Sequence, residues 1–586
     1  MNCNSQYLLP RSPMLAYHDS PELGAFLPSQ EIFKSVVEAI ASKDALGLSH
    51  DALEDLIEEK TRPLLLQLFC DNVNLRGVLE EAQARLAETD APVGRDGIER
   101  PHKRATMRVL NIIFGEAEIG RLSYTSRDSS GGLRPLDAQL NLPHNSYSFG
   151  VRKRACILAM DLAYGSATQK LLSVGGIDLG KRQMEELVER ASMDFSEFYE
   201  ERHGVASKNS SCCLDEGETC EDYGSGPVSL AARTAEDEGC PVAACVGTDG
   251  EPKRQAPPCG LSCLERPGIL VLSSDGKGIV MRKDSLRPAT RKKAEKSKNK
   301  LKSRLSSGEK KNRKRMAEVA TVYEIAAYKR EPKDVIDTTG DHERRSDRPP
   351  RPVGKRVWAS LVESINGVIN MVFEEAHYRD PEHRLTWVFL LDGNKDQIAA
   401  AKRHAKRLHA KHGVTLHIVV DFIHVLEYLW KAAWCFFEKG DSAAEEWVLE
   451  RAHRVLQGRS GGVARGMRQS ATKRGLSKDE RAGVDNCAKY LHNKRAYLRY
   501  DLYMNLGLPI ATGVIEGACR HLVNDRFNIT GARWSLAGAE AILKLRALRS
   551  SGDFEEYWKF HRRKEWERNH QQLYQQGQIE LPRMSA

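Results

Sequence analysis

PGILVLSSDGKGIV, residues 267–280, joins a short apolar run to an acidic residue, and this combination indicates the class of fold. The apolar residues predict a buried strand that ends at Asp275, and the two glycines just after it allow a tight turn into the next strand. A second run of this kind, TWVFLL, ends in Asp392 and a glycine. One Asp-Gly pair is an ordinary turn signal, but two such strands favour a catalytic interpretation.

The segments around these two strands alternate between strand and helix patterns. MAEVATVYEIAAYK (316–329) is predicted to be a strand, and VWASLVESINGVINMVFEEAHY (357–378) has helical spacing. TLHIVVDFIHV (415–425) is predicted to be a further strand, ending in Asp421 and His424. This order indicates an α/β core whose acidic residues gather at neighbouring strand ends. A pair of metal ions about 3.5–4 Å apart needs several carboxylates that converge in this way from different elements.

Composition and periodicity divide the chain into six segments. A β-hairpin is predicted around Gly115, from the apolar and β-branched residues of RVLNIIFG and AEIGRLSY. The segments are a helical N-terminal region (1–100), the hairpin with a helix-turn-helix-like region (101–202), a cysteine-rich linker or insertion (203–265), the first part of the core (266–425), an all-α insertion (426–505) and the C-terminal part of the core (506–586).

Residues 166–189 have the outline of a helix-turn-helix, in which Lys181, Arg182 and Gln183 stand near the start of the second helix. The first residues of a recognition helix reach the edges of DNA bases. A compact three-helix bundle produces the same pattern, so DNA reading and plain packing both remain open at this point.

The net charge of +9 is concentrated in residues 282–315, the basic block. This block holds sixteen Lys or Arg and three acidic residues, a net +13, so the rest of the chain stands at −4. Such a density of positive charge favours contact with the phosphates of a nucleic acid, since a solvated helical face would have more interleaved acids. The residues of the block selected as DNA contacts are Arg291, Lys292, Lys293, Lys310 and Lys311.

The thirteen cysteines do not indicate a disulfide framework, because they are odd in number and the chain carries no secretion signal. Seven of them lie between residues 212 and 263, where the pairs Cys240-x4-Cys245 and Cys259-x3-Cys263 match zinc spacing only loosely. A linker is therefore favoured over a zinc module. No apolar run approaches the roughly 18–20 residues that span a bilayer. A cytoplasmic protein without a membrane partner is expected.

The stretch LGLPIATGVIEGACRHLVNDRFNITGARWSLAGAEAILKLRAL (506–548) places Glu516 near the start of a predicted helix. Arg520 lies one turn further along the same face. Spacing alone does not select Glu516, because a single glutamate is usually a surface residue. Its selection depends on a resemblance to a known family.

Five motifs in this order resemble a DDE transposase of the ISKra (number four) insertion-sequence family, whose core is related to the Mutator-like group. The resemblance runs from roughly Gly268 to Arg549, and more weakly back to about residue 100. The cysteine-rich segment is longer than the family pattern. The motifs are SSDGKGIV around Asp275, FLLDGNK around Asp392, VVDFIHV around Asp421, TGVIEGACRHLVNDR around Glu516, and GARWSLAGAEAILKLRAL after it.

The resemblance implies a ribonuclease H-like catalytic core in which Asp275, Asp392 and Glu516 bind two Mg²⁺ or Mn²⁺ ions. Asp421 and His424 fit an accessory C/D-x-x-H motif. Asp421 is the alternative to Asp392 as second acid, and His424 could equally be a core histidine. The implied activity is cleavage of DNA at the ends of the element, followed by transfer of the 3′-hydroxyl to target DNA without a covalent enzyme intermediate.

Arg533 and Trp534 have two interpretations. They could contact DNA, with the indole stacked on an unpaired base, or Trp534 could anchor the helix that begins SLAGAEAILKL. The partners implied are transposon-end and target DNA and further copies of the chain, in a prokaryotic, nucleoid-associated protein. The alternatives are a catalytically decayed transposase that only binds DNA, and a nuclease that cuts without strand transfer.

Overall fold

The computed structural model describes residues 24–86, 91–211, 268–296, 305–336, 349–529, 531–577 and 579. Nearly all of the cysteine-rich segment lies outside these residues, and so do both cysteine pairs considered for zinc. The strands are β1 (His102–Ile112), β2 (Gly115–Thr125), β3 (Ile269–Val280), β4 (Lys314–Ile325), β5 (Val353–Ser360), β6 (Thr386–Leu391) and β7 (His417–Val420).

Helices precede, separate and follow these strands along the chain. Those before β3 are α1 (Leu27–Ile40), α2 (Lys43–Leu46), α3 (His50–Leu86), α4 (Pro135–Gln139), α5 (Phe149–Asp161), α6 (Tyr164–Gly175), α7 (Lys181–Ala191) and α8 (Phe195–Ser211). Those between β3 and Asn505 are α9 (Pro288–Glu295), α10 (Ser307–Lys311), α11 (Pro332–Val335), α12 (Ile365–Arg379), α13 (Lys395–His412), α14 (Phe422–Ala433), α15 (Ser442–Leu456), α16 (Ser460–Lys473), α17 (Ala482–Lys494) and α18 (Tyr500–Asn505). The last are α19 (Gly513–Ala518), a π-helical segment (Cys519–Asn524), α20 (Asp525–Phe527), α21 (Leu536–Ser551) and α22 (Phe554–Asn569).

The centre of the fold is a mixed five-stranded sheet with the order β5-β4-β3-β6-β7. Strands β3, β4 and β5 are antiparallel, whereas β6 and β7 run parallel to β3. The apolar run of β6 is buried from Trp387 to Leu391, as expected for a strand that is covered on both faces. The chain therefore has the predicted α/β core, with helices packed around one sheet.

The first predicted strand is longer in the structure than in the prediction. Strand β3 continues through Asp275 and both glycines to Val280, and it stays paired with β4 over this whole length. Only the pairing with β6 stops at Ser274. The glycines therefore do not form a turn, because the long partner strand β4 keeps this backbone extended.

Two further predicted elements differ from the structure. The helical pattern of residues 357–378 contains the end of β5 and then α12, which begins after Ser364. A short apolar run such as VWAS is compatible with either a strand or a helix. It forms a strand here because it pairs with β4. The strand predicted for 415–425 ends at Val420, since Asp421 caps α14 and His424 lies on that helix.

Other segments have the predicted secondary structure. Strands β1 and β2 form an antiparallel hairpin in which Ile112 pairs with Gly115. Every regular element described between Phe422 and Asn505 is helical, as predicted for the insertion. Within the described part of the chain, no helix is both long enough and apolar enough to cross a membrane.

A buried ionic network joins the N-terminal helices to the last long helix. The Glu565 carboxylate on α22 is fully buried and accepts hydrogen bonds from Arg152 (3.1 Å), Arg190 (2.9 Å) and Arg568 (2.9 Å). Helices α5 and α7, which carry two of these arginines, are thereby fixed to the C-terminal part of the chain. The helix-turn-helix-like region is thus packed against the core.

Protonation of Glu565 is expected to destabilise the fold at acid pH. Burial alone would raise the pKa of Glu565, but hydrogen bonds from Arg190 and Arg568 outweigh it and lower the pKa to about 2. A carboxyl whose pKa is lowered by folding stabilises the fold above its unfolded pKa, near 4.5, and loses that contribution as the pH falls towards 2. Melting temperatures of Glu565→Gln between pH 2 and 7 should therefore vary less with pH than those of the unsubstituted chain.

The matched control is Glu556→Gln, which removes an exposed acid from the same helix. It should retain the full pH dependence. An unchanged pH dependence in Glu565→Gln would show that the network does not link stability to pH.

Candidate active site

Two carboxylates stand at equivalent positions on neighbouring strands. Ser274 of β3 is paired with Leu391 of β6 in a parallel register, and Asp275 and Asp392 follow these paired residues directly. Adjacent strands are about 4.8 Å apart, and side chains at equivalent positions point to the same face. Both carboxylates are half-buried. The register therefore places the two acids side by side, where β6 ends and β3 continues.

The backbone after Asp392 explains why β6 stops at this acid. Gly393 has a φ of 95°, a conformation that favours glycine. A Cβ atom at Gly393 would also lie 2.9 Å from the hydroxyl of Tyr490, which donates a hydrogen bond to the Asp392 carbonyl (3.1 Å). The backbone N–H of Asn394 donates to Asp392 Oδ1 (2.9 Å) and holds the carboxylate in place.

The helix that carries Glu516 approaches the same two strands. Glu516 is exposed and lies in α19, and the π-helical segment follows α19 without a break. The thiol of Cys519 donates to Asp275 Oδ2 (3.2 Å), and the Thr512 hydroxyl lies 3.4 Å from Glu516 Oε1. Cys519 is one turn from Glu516 on the same helical face. The structure thus brings Asp275, Asp392 and Glu516 to one region.

Asp421 is fully buried, and both of its oxygens are occupied. Its Oδ1 accepts from the backbone N–H groups of Ile423 (3.1 Å) and Thr512 (3.2 Å). Its Oδ2 accepts from the Thr512 hydroxyl (2.6 Å) and contacts His424 Nδ1 (3.2 Å). Asp421 therefore caps α14 and anchors the start of the Glu516 helix, whereas Asp392 is only half-buried. Of the two aspartates considered for the second acid, Asp392 is therefore the more accessible.

His424 is half-buried and acts as the partner of Asp421. The hydrogen bond with Asp421 raises the pKa of His424 against the opposing effect of burial, and the negative charge of Asp392 raises it further. The histidine thus lies close to both acids.

A fourth carboxylate, Glu318, was not selected from the sequence. It is buried on β4, and its Oε1 accepts from Ser274 Oγ (2.5 Å) and Gln397 Nε2 (2.5 Å). Side chains alternate along a strand, so the Ser274 side chain lies on the sheet face opposite Asp275. Glu318, which accepts the hydrogen bond from Ser274, lies on that opposite face as well. Burial raises the pKa of Glu318, its two hydrogen bonds oppose the rise, and the charges of Asp275 and Asp392 add to it.

The sequence contained only weak signals for these supporting residues. Glu318 is an acid inside an otherwise apolar strand, which indicates an inward-facing charge but not its partner. Cys519 could have been found from its spacing of three residues after Glu516. Thr512 and Gln397 had no signal, because each contacts a residue more than seventy positions away in the chain.

The raised pKa of Glu318 is expected to make the stability of the fold depend on pH above about 4.5. A carboxyl whose pKa is raised by folding contributes stability below its unfolded pKa, near 4.5, and this contribution is lost as the pH rises through the folded pKa. Glu318→Gln should therefore raise the melting temperature more at pH 8 than at pH 4. Glu324→Gln, on the same strand but half-buried, is the control. Parallel pH profiles for the Glu318→Gln variant and the unsubstituted chain would refute the effect.

The residues predicted to start a recognition helix are all exposed at the start of α7. Arg182 pairs with Glu186 one turn later (3.0 Å), and the Gln183 side chain accepts from the Gly180 N–H (2.9 Å). Two of the three side chains are thus engaged within the helix itself. Lys181 is the one that lines a cavity, together with Arg282 and Trp534.

The described part of the basic block presents most of its selected residues to solvent. Lys292, Lys293, Lys310 and Lys311 are exposed. Arg291 is also exposed, but its guanidinium donates to backbone carbonyls of the preceding turn, that of Lys283 at 3.1 Å. Residues 297–304 of the block lie outside the described ranges.

Trp534 is an anchor, which is the second of its two interpretations. It is 6% exposed, and its ring lies 4.6 Å from that of Phe527. Its backbone N–H donates to the Val280 carbonyl (3.2 Å), and its carbonyl accepts from the Arg282 N–H (2.8 Å). The DNA-stacking interpretation does not fit this burial, because the ring is packed within the protein. The polypeptide is tied here to the end of β3.

The two arginines selected nearby are available at the surface. Arg520 is 74% exposed in its side chain and lies 3.8 Å from Asp525. Arg533 is exposed next to the buried tryptophan. Both remain candidates for phosphate contact.

The donor chemistry of the three acids fits a divalent cation. Asp275, Asp392 and Glu516 offer carboxylate oxygens, which are the ligands that Mg²⁺ and Mn²⁺ prefer. Burial is the main cause of the raised pKa of Glu318, and the negative charges of Asp275 and Asp392 raise it further. Negative charge is therefore concentrated at this part of the sheet. In the described ranges, no three His, Cys, Asp or Glu side chains converge closely enough to form a metal site as they stand.

No protein-family model matches the chain, and no curated protein is significantly similar to it.

Proposed function

We propose that this chain is a DDE transposase with a ribonuclease H-like core, which cuts DNA at the ends of an insertion sequence and joins them to target DNA. The observation that carries the proposal is the parallel register that sets Asp275 beside Asp392, with the Glu516 helix contacting Asp275 through Cys519. The mixed five-stranded sheet supports the same assignment. Acids from two strands and a helix suit phosphodiester chemistry.

In this proposal three acids bind metal ions, and two further residues hold the Glu516 helix in position. Asp275, Asp392 and Glu516 would hold two Mg²⁺ or Mn²⁺ ions, which when bound supply activation of the attacking oxygen and stabilisation of the leaving one. Asp421 and Thr512 are positioning residues, because together they fix the first turn of the Glu516 helix. The protein's part is to keep the carboxylates in place before DNA arrives.

The positively charged surface supports DNA as the substrate. Four exposed lysines of the basic block lie on segments that connect β3 to β4, so they extend from the strand that carries Asp275. Exposed lysines bind phosphates without reading sequence. In this proposal α6 and α7 form the helix-turn-helix that contacts the DNA ends. Two ends must be held together for transfer, so we expect a homo-oligomer on DNA, in the nucleoid of a prokaryotic cytoplasm.

The proposal is tested by incubating the purified chain with labelled DNA of the element's own end. The expected result is nicking that requires Mg²⁺ or Mn²⁺ and is abolished by a chelator, followed by joining of the cut end to a target plasmid. Cutting without joining would instead identify a nuclease. Binding without cutting would identify a decayed transposase that acts as a DNA-binding protein.

A further inference from the structure

Helix α3 carries a strip of residues with the spacing of a coiled coil. The helix runs from His50 to Leu86 without a break. From Thr61 onwards the strip recurs at alternating intervals of four and three residues, the repeat in which positions a and d face a partner helix. At 1.5 Å per residue the strip is about 32 Å long. Its members, called the α3 seam, are Thr61, Leu65, Leu68, Asn72, Leu75, Leu79 and Ala82.

The described part of the chain leaves the α3 seam uncovered. Leu65 and Leu68 are 41% and 40% exposed, and Asn72 between the leucines is exposed as well. Leu75 and Leu79 are half-buried, but neither packs against a buried core of the described residues. The other side of α3 packs on strands β1 and β2. The helix therefore has a second apolar strip that its own fold does not use.

Helix α1 extends the exposed apolar surface on the same side. It is antiparallel to α3, because Ser29 at its start donates from the backbone N–H to Asp71 far along α3 (3.1 Å), while its end leads into α3 through α2. At about 100° per residue, Phe33 and Val37 stand about 40° and 80° round α1 from Ser29. The α3 seam stands about 20° to 120° round α3 from Asp71 in the same sense.

Similar rotations on two antiparallel helices point to one side of the pair. Phe33 (49% exposed) and Val37 (48% exposed) therefore lie beside the α3 seam. Taking about 10 Å for the width of each helix, the strips of about 32 Å and 20 Å cover on the order of 500 Å² in outline. A stable interface buries about 800 Å² of accessible surface per partner, and accessible surface exceeds outline because side chains project from it. The surface is thus large enough for a second protein molecule.

The polar residue within the α3 seam selects a second copy of the chain. Asn72 occupies an a position, with leucines at the d positions on either side. An asparagine at a single a position sets the register of a coiled coil. In a parallel pair of identical helices it meets its own counterpart, and the two amides can each donate and accept. A partner with an apolar residue at this position would leave the amide unsatisfied.

The charges along α3 fit the same arrangement. Arg76 occupies an e position and Asp71 the preceding g position, and a parallel pair in register sets Arg76 of one copy opposite Asp71 of the other. Glu54 and Glu58 occupy the seam positions before Thr61 and are exposed. Two copies would set like charges against each other there, so the paired segment begins at Thr61.

We propose that the α3 seam pairs with the α3 seam of a second copy as a parallel two-stranded coiled coil in register. Pairing removes the exposed leucines from water and gives Asn72 a hydrogen-bond partner. Resting on the proposed function, the pair holds two catalytic cores, and so two DNA ends, together. The pairing itself needs neither DNA nor metal ions, so it can be measured apart from cutting.

The first measurement is sedimentation equilibrium of the full chain without DNA or divalent ions. The unsubstituted chain should form a dimer. The double variant Leu65→Glu, Leu68→Glu sets four glutamates into the paired seams and should weaken the dimer by about a hundredfold or more. Both positions are exposed, so each copy should still fold. The matched control is Leu172→Glu, Leu502→Glu, at positions 50% and 40% exposed on α6 and α18, and it should remain dimeric.

The second measurement uses Asn72→Leu. Replacing a polar a residue by leucine should tighten self-association by about tenfold or more and allow larger oligomers, because the asparagine sets the oligomer state at a cost in stability. An exposed leucine gives this gain only where a second copy covers it. Asn74→Leu, at an exposed position of the same helix outside the α3 seam, should leave the association unchanged.

The parallel register is tested by cross-linking. Leu65→Cys and Leu79→Cys, made separately, should each give a disulfide-linked dimer under mild oxidation, beyond the level seen for the unsubstituted chain. In a parallel pair each position faces its own counterpart, within the reach of a disulfide. An antiparallel pair brings at most one of the two positions against itself. Asn74→Cys should give no additional cross-link.

Three results would overturn the inference. They are a chain that stays monomeric at micromolar concentration without DNA, a dimer that persists in the double glutamate variant, and an Asn72→Leu variant whose self-association is unchanged. The last result would assign the surface to another protein or to another segment of this chain. A dimer that never cuts DNA would overturn the proposed catalysis and leave the pairing standing, whereas a monomer that cuts and joins DNA would do the reverse.

Discussion

Replacing Asp392 by asparagine is expected to reduce metal-dependent cutting of end DNA by about a thousandfold or more, while folding and DNA binding are retained. The change removes one negative charge from the candidate site and leaves the size of the side chain unchanged. An asparagine Oδ1 can still accept the hydrogen bond from the Asn394 N–H that now holds Asp392. The measurement is the rate of nicking in a gel assay, beside the affinity for the same DNA in a mobility-shift assay.

The control for this prediction is Asp396→Asn, an exposed acid four residues further on. It should cut at the normal rate. The prediction also separates the two candidates for second acid, because Asp421→Asn should impair cutting only through the fold. Normal cutting by Asp392→Asn, together with loss in a well-folded Asp421→Asn, would transfer the catalytic role to Asp421.

Replacing Asp421 by alanine is expected to lower the free energy of unfolding by about 3 kcal/mol. The carboxylate is fully buried and accepts from two backbone N–H groups and the Thr512 hydroxyl, so its loss leaves several donors unsatisfied. The first turn of the Glu516 helix should loosen as well, since Thr512 is held there by Asp421. Urea unfolding followed by circular dichroism measures the change.

Asp396→Ala serves as the exposed counterpart and should leave the unfolding midpoint within a few tenths of a molar of its normal value. Thr512→Val provides a second check, because it removes the hydroxyl that joins Asp421 to the Glu516 helix. An Asp421→Ala chain of normal stability that fails to cut would mean that Asp421 acts on the substrate rather than on the fold.

Several features followed from short-range patterns in the sequence. The end of β6 before Asp392 follows from an apolar run that stops at Asp-Gly, and the buried part of β3 follows from a similar run. The hairpin around Gly115 and the helix start before Glu516 follow from alternation and turn residues. These features depend on neighbours within a few positions, and local periodicity and backbone preference are sufficient to determine them.

The tertiary structure alone decided which of these residues meet. The pattern of residues shows that an acid follows each of two apolar runs, but the adjacency of the two acids comes from the parallel register that pairs Ser274 with Leu391. Glu318 became a buried, hydrogen-bonded acid through Ser274 and Gln397, and Trp534 became an anchor through its pairing with the end of β3. Burial and partnership are properties of the packed chain. Periodicity reports which face is apolar, whereas which surface covers that face is set by contacts between distant segments.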